Sequence, residues 1–231
     1  MATYLVNIGN TNTQICFDDL GGLKNIPSQE FLQFASKEFN QGNKIFVATV
    51  VKDFLEELPK IKGEYQFLSY SHLDVDFSKV RADNIGADRL ANIAAVSNQN
   101  KNVLILDCGT CITGELITSG RVFEGGFIML GRKLSRKALN SFTSQLPIVP
   151  LSEDSDLLGK NTESAIQVGI DTMSGFALQK YVEELRSQYF DLDVVLTGGD
   201  ADYFSEFISS NFNLEPLLTL KGLRSVFIDK I

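Results

Sequence analysis

Two short polar stretches of the sequence could bind phosphate, because each follows an apolar run typical of a strand. They are NIGNTNT at residues 7–13 and DCGTCIT at residues 107–113. Glycine, asparagine and threonine at a strand end expose backbone N–H groups and hydroxyls, which proteins use to hold phosphate oxygens. The first stretch also fits an ordinary β-hairpin with an asparagine-rich turn, so phosphate binding and plain turn chemistry both stay open here.

The two stretches repeat one another at an offset of 100 residues. Aligned in this way, segments 7–17 and 107–117 share a glycine, a later threonine and a strand–turn–strand setting. The shared residues are Gly9 and Thr13 in the first segment and Gly109 and Thr113 in the second. The repeat predicts two similar α/β lobes with both turns facing one ligand in a cleft, which would suit a nucleotide held by its phosphates.

A third glycine turn, LTGGD at residues 196–200, lies between a predicted strand and a predicted helix. Two adjacent glycines let a flat base or ribose approach the backbone closely, although a plain strand-to-helix turn fits as well. No G-x-G-x-x-G is present, and LGKNT at residues 158–162 lacks the upstream glycine of a P-loop. A nucleotide site in this chain is therefore expected to be of neither of these two common kinds.

The elements that must position these turns alternate between strands and helices, which predicts a mixed α/β fold. Strands are predicted at residues 3–8, 13–18, 44–50, 65–70, 103–108, 112–118, 121–128 and 193–197. Helices are predicted at residues 29–39, 52–58, 86–98, 131–142, 161–188 and 200–209. The longest helix, 161–188, has a wide apolar stripe that fits either a core helix or a dimer face.

The composition limits the classes of ligand and partner. A formal charge of −8 with 44% hydrophobic residues indicates a globular chain with a sizeable core and argues against nucleic acid as a partner. No signal-like segment and no apolar stretch of bilayer-spanning length is present, so we expect a cytoplasmic protein without a membrane partner. Cys16, Cys108 and Cys111 are expected to be reduced thiols, since a zinc site would need further ligands.

The motifs, taken in order, resemble those of the type III pantothenate kinases, which belong to the superfamily of acetate kinase, sugar kinases and actin. The resemblance covers nearly the whole chain and rests on NIGNTNT, IGADRLAN (85–92), DCGTCIT, EGGFIMLG (124–131) followed by LSRKAL, LGKNTESAIQVGI (158–170) and LTGGD. It implies two ribonuclease-H-like lobes of the actin-like ATPase kind, each a mixed sheet flanked by helices. We expect an N-terminal lobe at residues 1–83 and a C-terminal lobe with dimerisation helices at residues 84–231.

The resemblance implies an enzyme, a phosphotransferase that uses ATP to convert pantothenate into 4′-phosphopantothenate, the first step of coenzyme A biosynthesis. The family's general base matches Asp88, a carboxylate that would take the proton from the attacking hydroxyl. Without the resemblance, Asp88 and Arg89 would fit a helix cap with a surface charge pair. The residues that match the pantothenate pocket are Gly86, Ala87, Asp88, Arg89 and Thr162.

The resemblance also implies cofactors and a partner. It assigns ATP to the first turn and to one residue of the second: Asn7, Ile8, Gly9, Asn10, Thr11, Asn12, Thr13, Gln14 and Thr110. The nucleotide would be bound with Mg²⁺. Asp107 matches the family's ligand for a monovalent cation, K⁺ or NH₄⁺, although an aspartate at a strand end also fits a turn cap. The implied partners are pantothenate, ATP and a second copy of the chain, in a homodimer whose helices include residues 161–188.

Four positions depart from the family's pattern. Asn7 replaces the aspartate that partners Mg²⁺-bound water in the superfamily, and Lys79 stands where many members have a substrate-contacting tyrosine. Leu130 replaces a proline, and Glu115 replaces an aspartate. These departures leave open an alternative, a catalytically impaired paralogue that acts as a ligand-sensing or regulatory accessory protein. Direct DNA binding is disfavoured by the acidic charge.

Overall fold

A computed structural model describes residues 2–153, 157–209 and 211–229. Contacts between residues divide the chain into two compact units. The first comprises Met1–Asn100, Ile117–Glu124 and Leu217–Ile231, and the second comprises Lys101–Leu116 and Gly125–Pro216. The lobes expected from the sequence meet at residues 83 and 84, whereas the first unit continues to Asn100 and includes two later segments. Among the described residues, no helix has the length and apolar character needed to cross a bilayer.

The elements of the described chain are numbered in sequence order. The strands are β1 (Thr3–Ile8), β2 (Asn12–Phe17), β3 (Lys24–Pro27), β4 (Lys44–Thr49), β5 (Glu64–Phe67), β6 (Asn102–Cys108), β7 (Cys111–Ile117), β8 (Phe123–Leu130), β9 (Leu192–Thr197) and β10 (Asn213–Leu214). The α-helices are α1 (Phe31–Glu38), α2 (Asp53–Glu57), α3 (Ala87–Val96), α4 (Arg132–Phe142), α5 (Thr162–Gln167), α6 (Met173–Gln188), α7 (Ala201–Ser205) and α8 (Leu218–Phe227). A π-helical segment, Val168–Thr172, joins α5 to α6.

The two sheets have the same strand order. The first sheet runs β3-β2-β1-β4-β5, and the second runs β10-β9-β6-β7-β8. Written from its other edge, the second sheet runs β8-β7-β6-β9-β10. Each sheet therefore places its own third, second, first, fourth and fifth strands side by side in that order. The duplication that the repeated turns predict is therefore confirmed in the topology, together with the mixed α/β class.

Parallel pairing fixes the edge at which a ligand site is expected. In the first sheet β1 pairs antiparallel with β2 and parallel with β4. In the second sheet β6 pairs parallel with β9. Parallel strands end at the same edge of a sheet, and open α/β sheets bind ligands beyond the carboxyl ends of such strands. The turns after β1 and β6 lie at these edges.

The first sheet is buried on both faces. Successive residues of a strand point to opposite faces, and the two core clusters of this unit follow that alternation. Val6 belongs to the cluster that includes Phe31 of α1. Leu5 belongs to the cluster that includes Leu90 of α3 and Leu220 of α8. Helices α1 and α2 thus cover one face, while α3 and α8 cover the other.

The main core of the second unit lies between its sheet and helices α6 and α7. Leu104 of β6 is in one cluster with Leu178 of α6 and Phe204 of α7. A smaller cluster contains Ile166 of α5 and Ile170 of the π-helical segment. The predicted strands and helices all lie within a few residues of observed elements, but β3, β10 and α8 were not predicted, and the π-helical segment interrupts the predicted helix 161–188.

Candidate active site

The first polar turn joins β1 to β2 at the carboxyl edge of the first sheet. The strands pair with Asn7 opposite Gln14 and Ile8 opposite Thr13, and the Gly9 N–H donates to the Asn12 carbonyl oxygen at 3.0 Å. The residues from Asn10 to Asn12 are exposed, whereas Ile8 and Thr13 are fully buried. Of the residues predicted to bind ATP, those at the tip of this turn are therefore the ones open to a ligand.

Ser28, a residue that the sequence did not single out, holds this turn in place. Its backbone N–H donates to the Thr11 carbonyl oxygen at 3.0 Å, and its hydroxyl donates to the Gly9 carbonyl oxygen at 2.7 Å. The Thr13 hydroxyl lies 3.0 Å from the Ser28 hydroxyl. Thr13 thus serves the internal structure of the turn, and no local signal in the sequence could connect it with a serine so far along the chain.

Asn7 carries an acceptor atom that the protein does not satisfy. Its Nδ2 donates to Gln14 Oε1 at 3.4 Å, a long hydrogen bond. Its Oδ1 is buried and has no hydrogen-bond partner within the described part of the chain. A buried unpaired acceptor costs free energy unless a ligand or water donates to it. The atom therefore fits a hydrogen bond from a bound water or ligand.

Asp88 is the second residue of α3, directly after Gly86 and Ala87. The Arg89 N–H donates to Asp88 Oδ1 at 2.7 Å, which fixes the carboxylate at the helix start. A Cβ at position 86 would lie 2.6 Å from the same oxygen, so only glycine leaves room for it there. Burial raises the pKa of Asp88, and the hydrogen bond and charge of Arg89 oppose this shift. Gly86, Ala87, Asp88 and Arg89 are all half-buried.

Val50, which follows β4, connects the Asp88 loop with the first turn. Its backbone N–H donates to the Ile8 carbonyl oxygen at 3.3 Å. A Cβ at Gly86 would lie 3.2 Å from Val50 Cγ1. The structure therefore brings Asp88 and the first turn together at one edge of the first sheet, which the separation of these motifs in the sequence did not show.

Lys79 forms an ion pair with a residue far along the chain. Its Nζ contacts both carboxylate oxygens of Glu124, at 2.6 and 2.8 Å. The preceding segment is attached to the same region, because the Asp76 N–H donates to the Arg121 carbonyl oxygen at 2.8 Å and Asp76 forms a parallel bridge with Val122. Lys79 therefore takes part in the anchoring of this segment, which leads into the Asp88 loop.

The second polar turn joins β6 to β7 and is packed against the start of α4. The Gly109 N–H donates to the Cys111 carbonyl oxygen at 2.9 Å, and Thr110 at the tip is exposed. The Gly131 N–H donates to the Thr110 carbonyl oxygen at 3.1 Å. A Cβ at Gly131 would lie 2.2 Å from the Gly109 carbonyl oxygen, so glycine is required for this close approach.

Asp107 lies beside the third glycine turn. Gly198 has φ of +91°, a left-handed conformation that favours glycine, and a Cβ there would lie 2.6 Å from Asp107 Oδ1. The Asp200 N–H donates to the Cys108 carbonyl oxygen at 2.8 Å. The ends of β6 and β9 are thus held together. Among the described residues no group of three or more His, Cys, Asp or Glu side chains is placed to hold a metal ion.

Thr162 lies at the start of α5, on the lining of an apolar cavity. The helix begins with a capping box in which Ser164 N–H donates to Asn161 Oδ1 at 2.9 Å. The cavity has a volume of ≈ 820 Å³ and is lined by α4, α5 and the π-helical segment, with Leu130 and Phe142 among its residues. Leu130 is therefore part of this lining, whereas Glu115 is fully buried within the second unit.

The predicted site residues fall into both units. The first unit contains Asn7 to Gln14 and Gly86 to Arg89, and the second contains Asp107, Thr110 and Thr162.

All three cysteines are free thiols, as expected, and burial raises the pKa of Cys16 to about 11. None of the cysteines has been assigned to the candidate site.

Solved structures with a similar backbone carry the actin-like fold. A Campylobacter jejuni protein that was assigned to the Baf family of transcriptional activators superimposes with a TM-score of 0.69 at 21% identity, over 98% of both chains. An inorganic polyphosphate/ATP-glucomannokinase from Arthrobacter sp. strain KM gives a TM-score of 0.50 at 12% identity, over 96% of both chains. At these identities the likeness is one of fold alone, and it agrees with two lobes of the actin-like sugar kinase type.

Relatives of closer sequence identify the family. The model of the type III pantothenate kinase family matches residues 4–184. A type III pantothenate kinase of Bacteroides fragilis (strain YCH46) is 30% identical over 233 residues, which cover 96% of each chain. The protein is thus a kinase for the ATP-dependent phosphorylation of pantothenate to 4′-phosphopantothenate, the first step of coenzyme A biosynthesis, and none of these relatives supports a purely regulatory role. The chain belongs to the type III pantothenate kinase family.

Proposed function

We propose that Asp88 is the general base of the reaction and takes the hydroxyl proton of pantothenate as that oxygen attacks the γ-phosphate of ATP. One observation carries this assignment: burial raises the pKa of a carboxyl group that lies at the carboxyl edge of the first sheet, close to the first turn. A base is more effective when its pKa lies nearer the working pH than that of an ordinary surface aspartate.

The phosphates of ATP are assigned to the exposed tip of the first turn, Asn10 to Asn12, and to Thr110 of the second turn. Two observations support this assignment. Both turns follow the first strand of their sheet, and both are held by hydrogen bonds to residues outside the hairpin, through Ser28 in one case and Gly131 in the other. A turn with a fixed backbone presents its N–H groups in one orientation, which favours anion binding over a flexible loop.

Mg²⁺ would neutralise the charge of the ATP phosphates during phosphoryl transfer. Asn7 is proposed to accept a hydrogen bond from a water of the hydrated ion, because its Oδ1 is buried and without a partner among the described residues. An amide oxygen has the reach of the superfamily's aspartate but lacks its negative charge. We therefore expect weaker retention of Mg²⁺ than an aspartate would give.

Asp107 is proposed to bind a monovalent cation, K⁺ or NH₄⁺. It lies half-buried between the second turn and the third glycine turn, and a nearby positive charge stabilises the ionised form of a partly buried carboxylate. A single carboxylate with carbonyl oxygens and water suits a weakly bound hard cation better than a transition metal. Removal of K⁺ and NH₄⁺ from the assay should lower activity if this assignment holds.

Gly86, Ala87, Asp88, Arg89 and Thr162 are each proposed to bind pantothenate. Gly86 and Ala87 directly precede Asp88 and would present their backbone groups to the substrate. Arg89 supplies a guanidinium to pair with the carboxylate of pantothenate. Thr162 adds a hydroxyl beside the apolar cavity of the second unit. A cytoplasmic location is part of the same proposal, since ATP is supplied there.

A homodimer is proposed on the helices of the second unit, including α5 and α6. Several large apolar side chains there are exposed, among them Phe142 at 89% and Met173 at 58%. Light scattering at micromolar concentration should give a dimer, and Phe142→Asp should shift it toward monomer. Phe190→Asp is the matched control, because Phe190 is 91% exposed but does not line the cavity. A monomeric wild-type protein would contradict the proposal.

The direct test of the reaction is pantothenate-dependent ADP release, with 4′-phosphopantothenate identified by mass spectrometry. ADP should appear only when pantothenate, Mg²⁺ and a monovalent cation are all present. Absence of ADP at every concentration of Mg²⁺ and K⁺ would refute the assigned site chemistry.

A further inference from the structure

A buried ion cluster joins α4 to the π-helical segment. Asp171 is fully buried, and Arg132 and Arg136 are exposed by only 2% and 3%. Arg136 contacts both carboxylate oxygens of Asp171, at 2.9 and 2.6 Å, and Arg132 Nε donates to Asp171 Oδ1 at 3.0 Å. Buried charges are unfavourable unless they are paired and hydrogen-bonded, so the presence of three such groups requires an explanation.

The cluster contains more positive than negative charge. One carboxylate compensates one guanidinium. Both arginines contact both oxygens of Asp171, Arg136 at 2.9 and 2.6 Å and Arg132 at 3.0 and 3.4 Å, so Arg136 has the shorter contact. Arg132 therefore needs a second anion. Asp200 Oδ1 lies 3.7 Å from Arg132 Nη1, with its side chain 15% exposed. Glu153 lies 3.9 Å away, but its side chain is 79% exposed and the interaction is screened by water.

Arg132 is held rigidly toward Asp200. Its guanidinium carbon lies 3.6 Å from the centre of the Tyr203 ring, and its Nη2 donates to the Ser152 carbonyl oxygen. Stacking on an aromatic face and a two-point ion pair both orient the planar guanidinium. The side chain is too buried to reach a ligand itself, so any effect on the reaction must pass through another residue.

Asp200 ends the third glycine turn, and Arg132 begins α4 next to the second turn, where Thr110 is proposed to bind ATP. Asp200 directly follows Gly198 and Gly199, and its N–H donates to the Cys108 carbonyl oxygen next to Asp107. Arg132 directly follows Gly131, whose N–H donates to the Thr110 carbonyl oxygen. The pair of Arg132 and Asp200 thus connects the second turn with the third glycine turn.

We propose that Arg132 is a positioning residue for nucleotide and cation binding, which acts through Asp200 to hold the Gly198–Gly199 turn against Asp107 and Cys108, at the start of the second turn. The proposal rests on the assignment of ATP to Thr110 and of the cation to Asp107. Burial raises the pKa of Asp200, and the charge of Arg132 opposes this shift, in keeping with a direct interaction between the two groups.

Asp171 lies in the π-helical segment between α5 and α6. Ile170, Asp171 and Thr172 are three consecutive buried residues, exposed by 8%, 0% and 2%. A π turn is wider than an α-helical turn and often occurs at functional sites. The carboxylate that pairs with Arg132 and Arg136 therefore comes from a local departure from α-helix.

The test compares two arginines of the same cluster. Arg132→Met removes the partner of Asp200 but leaves Asp171 paired with Arg136, and it should raise the KM for ATP and the K⁺ concentration for half-maximal activity by about tenfold. Arg136→Met is the matched control, because it removes an equally buried arginine that has no described contact with Asp200. It should lower Tm to a similar extent while it leaves the KM for ATP within about twofold. The KM for pantothenate should move little in either variant.

Asp200→Asn supplies a second measurement, at a position that is less buried than Arg132 and with a side chain of nearly the same size. It should raise the KM for ATP as Arg132→Met does, and the double variant should also show about a tenfold rise, since residues that act as one unit are not additive. A hundredfold rise in the double variant, or equal shifts in Arg132→Met and Arg136→Met, would overturn the proposal.

Failure of the underlying site assignment would look different. Thr110→Val tests that assignment directly. If Thr110→Val leaves the KM for ATP unchanged, the nucleotide is not bound at these turns, and the proposed site and the positioning role both fall. If Thr110→Val raises this KM and Arg132→Met does not, only the positioning role falls.

Discussion

The Asp107 carboxylate occupies the space beside Gly198 that a larger residue would need: a Cβ at position 198 would lie 2.6 Å from Asp107 Oδ1. The glycine also has φ of +91°, which side chains of the L configuration rarely adopt. The contact joins the end of β6 to the turn after β9. A substitution at this position should therefore affect both stability and the proposed cation site.

Gly198→Ala is expected to destabilise the protein by about 2–4 kcal/mol, through backbone strain and steric overlap together. It should also raise the K⁺ concentration for half-maximal activity, because Asp107 must move. Gly199→Ala is the control for stability, since no atom of the described residues lies within 4 Å of a Cβ there and its φ is not in the left-handed region. Equal Tm values for the two variants would contradict this account of the turn.

Asp88→Asn should lower kcat by about a hundredfold or more with little change in the KM for ATP, as expected for loss of a general base. The amide can still accept the hydrogen bond from the Arg89 N–H, so the helix start is preserved. Steady-state kinetics with varied ATP and varied pantothenate separates the two constants. A variant with near-normal kcat would exclude Asp88 as the base.

The difference in stability between Asp88→Asn and the wild type should depend on pH. A carboxyl whose pKa is raised by folding binds its proton more tightly in the folded chain than in the unfolded chain. The free energy of unfolding of the wild type should therefore fall as pH rises from the ordinary pKa of 3.8 through the raised pKa of the folded state. The variant should therefore have a higher Tm than the wild type at pH 7. Below pH 3.8 the difference should vanish, because the wild-type carboxyl is then neutral in both states. A lower Tm at pH 7 would contradict the burial of this group.

Asn7→Asp should lower the Mg²⁺ concentration for half-maximal activity by about tenfold, since a unit charge near a divalent ion contributes about 1–2 kcal/mol at high dielectric. It would place a negative charge at the position of the buried Asn7 Oδ1. The measurement is a Mg²⁺ titration of pantothenate-dependent ADP release for both proteins. Identical titration curves would remove Asn7 from the metal site.

Ser28→Ala should loosen the first turn. It leaves the Gly9 carbonyl oxygen and the Thr13 hydroxyl without their buried partner, at a cost of about 1–3 kcal/mol. The KM for ATP should rise as well, because the turn is no longer fixed. Ser36→Ala in α1 is the control, since that hydroxyl is exposed and a surface substitution of this kind changes stability by about 0.5 kcal/mol or less. If both variants unfold at the same temperature, Ser28 does not hold the turn.

Local sequence patterns were sufficient to predict most of the strands and helices. Strands such as β6 and β9 are apolar runs bounded by polar residues, and they were predicted to within one residue at most ends. Strands β3 and β10 are only 4 and 2 residues long, too short for an alternation to be seen. Helix α8 contains Gly222, which weakens its helical signal by about 1 kcal/mol, and the reason for that glycine is a contact with Ala91 from α3.

Parts of the candidate site could be predicted where the functional groups lie next to one another in the sequence. The turns at Gly9 and Gly109 are of this kind, whereas Asp88 was predicted from the family resemblance, because its own residues also fit a helix cap with a surface charge pair. Ser28 is 19 residues from Gly9, and Asp171 is 39 residues from Arg132, so their roles depend on contacts that no local pattern carries. The partnership of Lys79 with Glu124 spans 45 residues and was hidden for the same reason.

The position of α8 near the end of the chain determines which unit can complete its folding first during synthesis. Leu220 and Leu223 of this helix complete one core of the first unit with Leu90 of α3, yet about 120 residues separate the end of α3 from the start of α8. At about 5–20 residues per second, the nascent first sheet must wait about 6–24 s with that face uncovered by α8. The second unit, although it comes later in the chain, has all its segments available before the first unit does. Chaperones that shield nascent apolar surface should therefore engage the amino-terminal sheet, and truncation before α8 should leave a folded second unit attached to an unfinished first one.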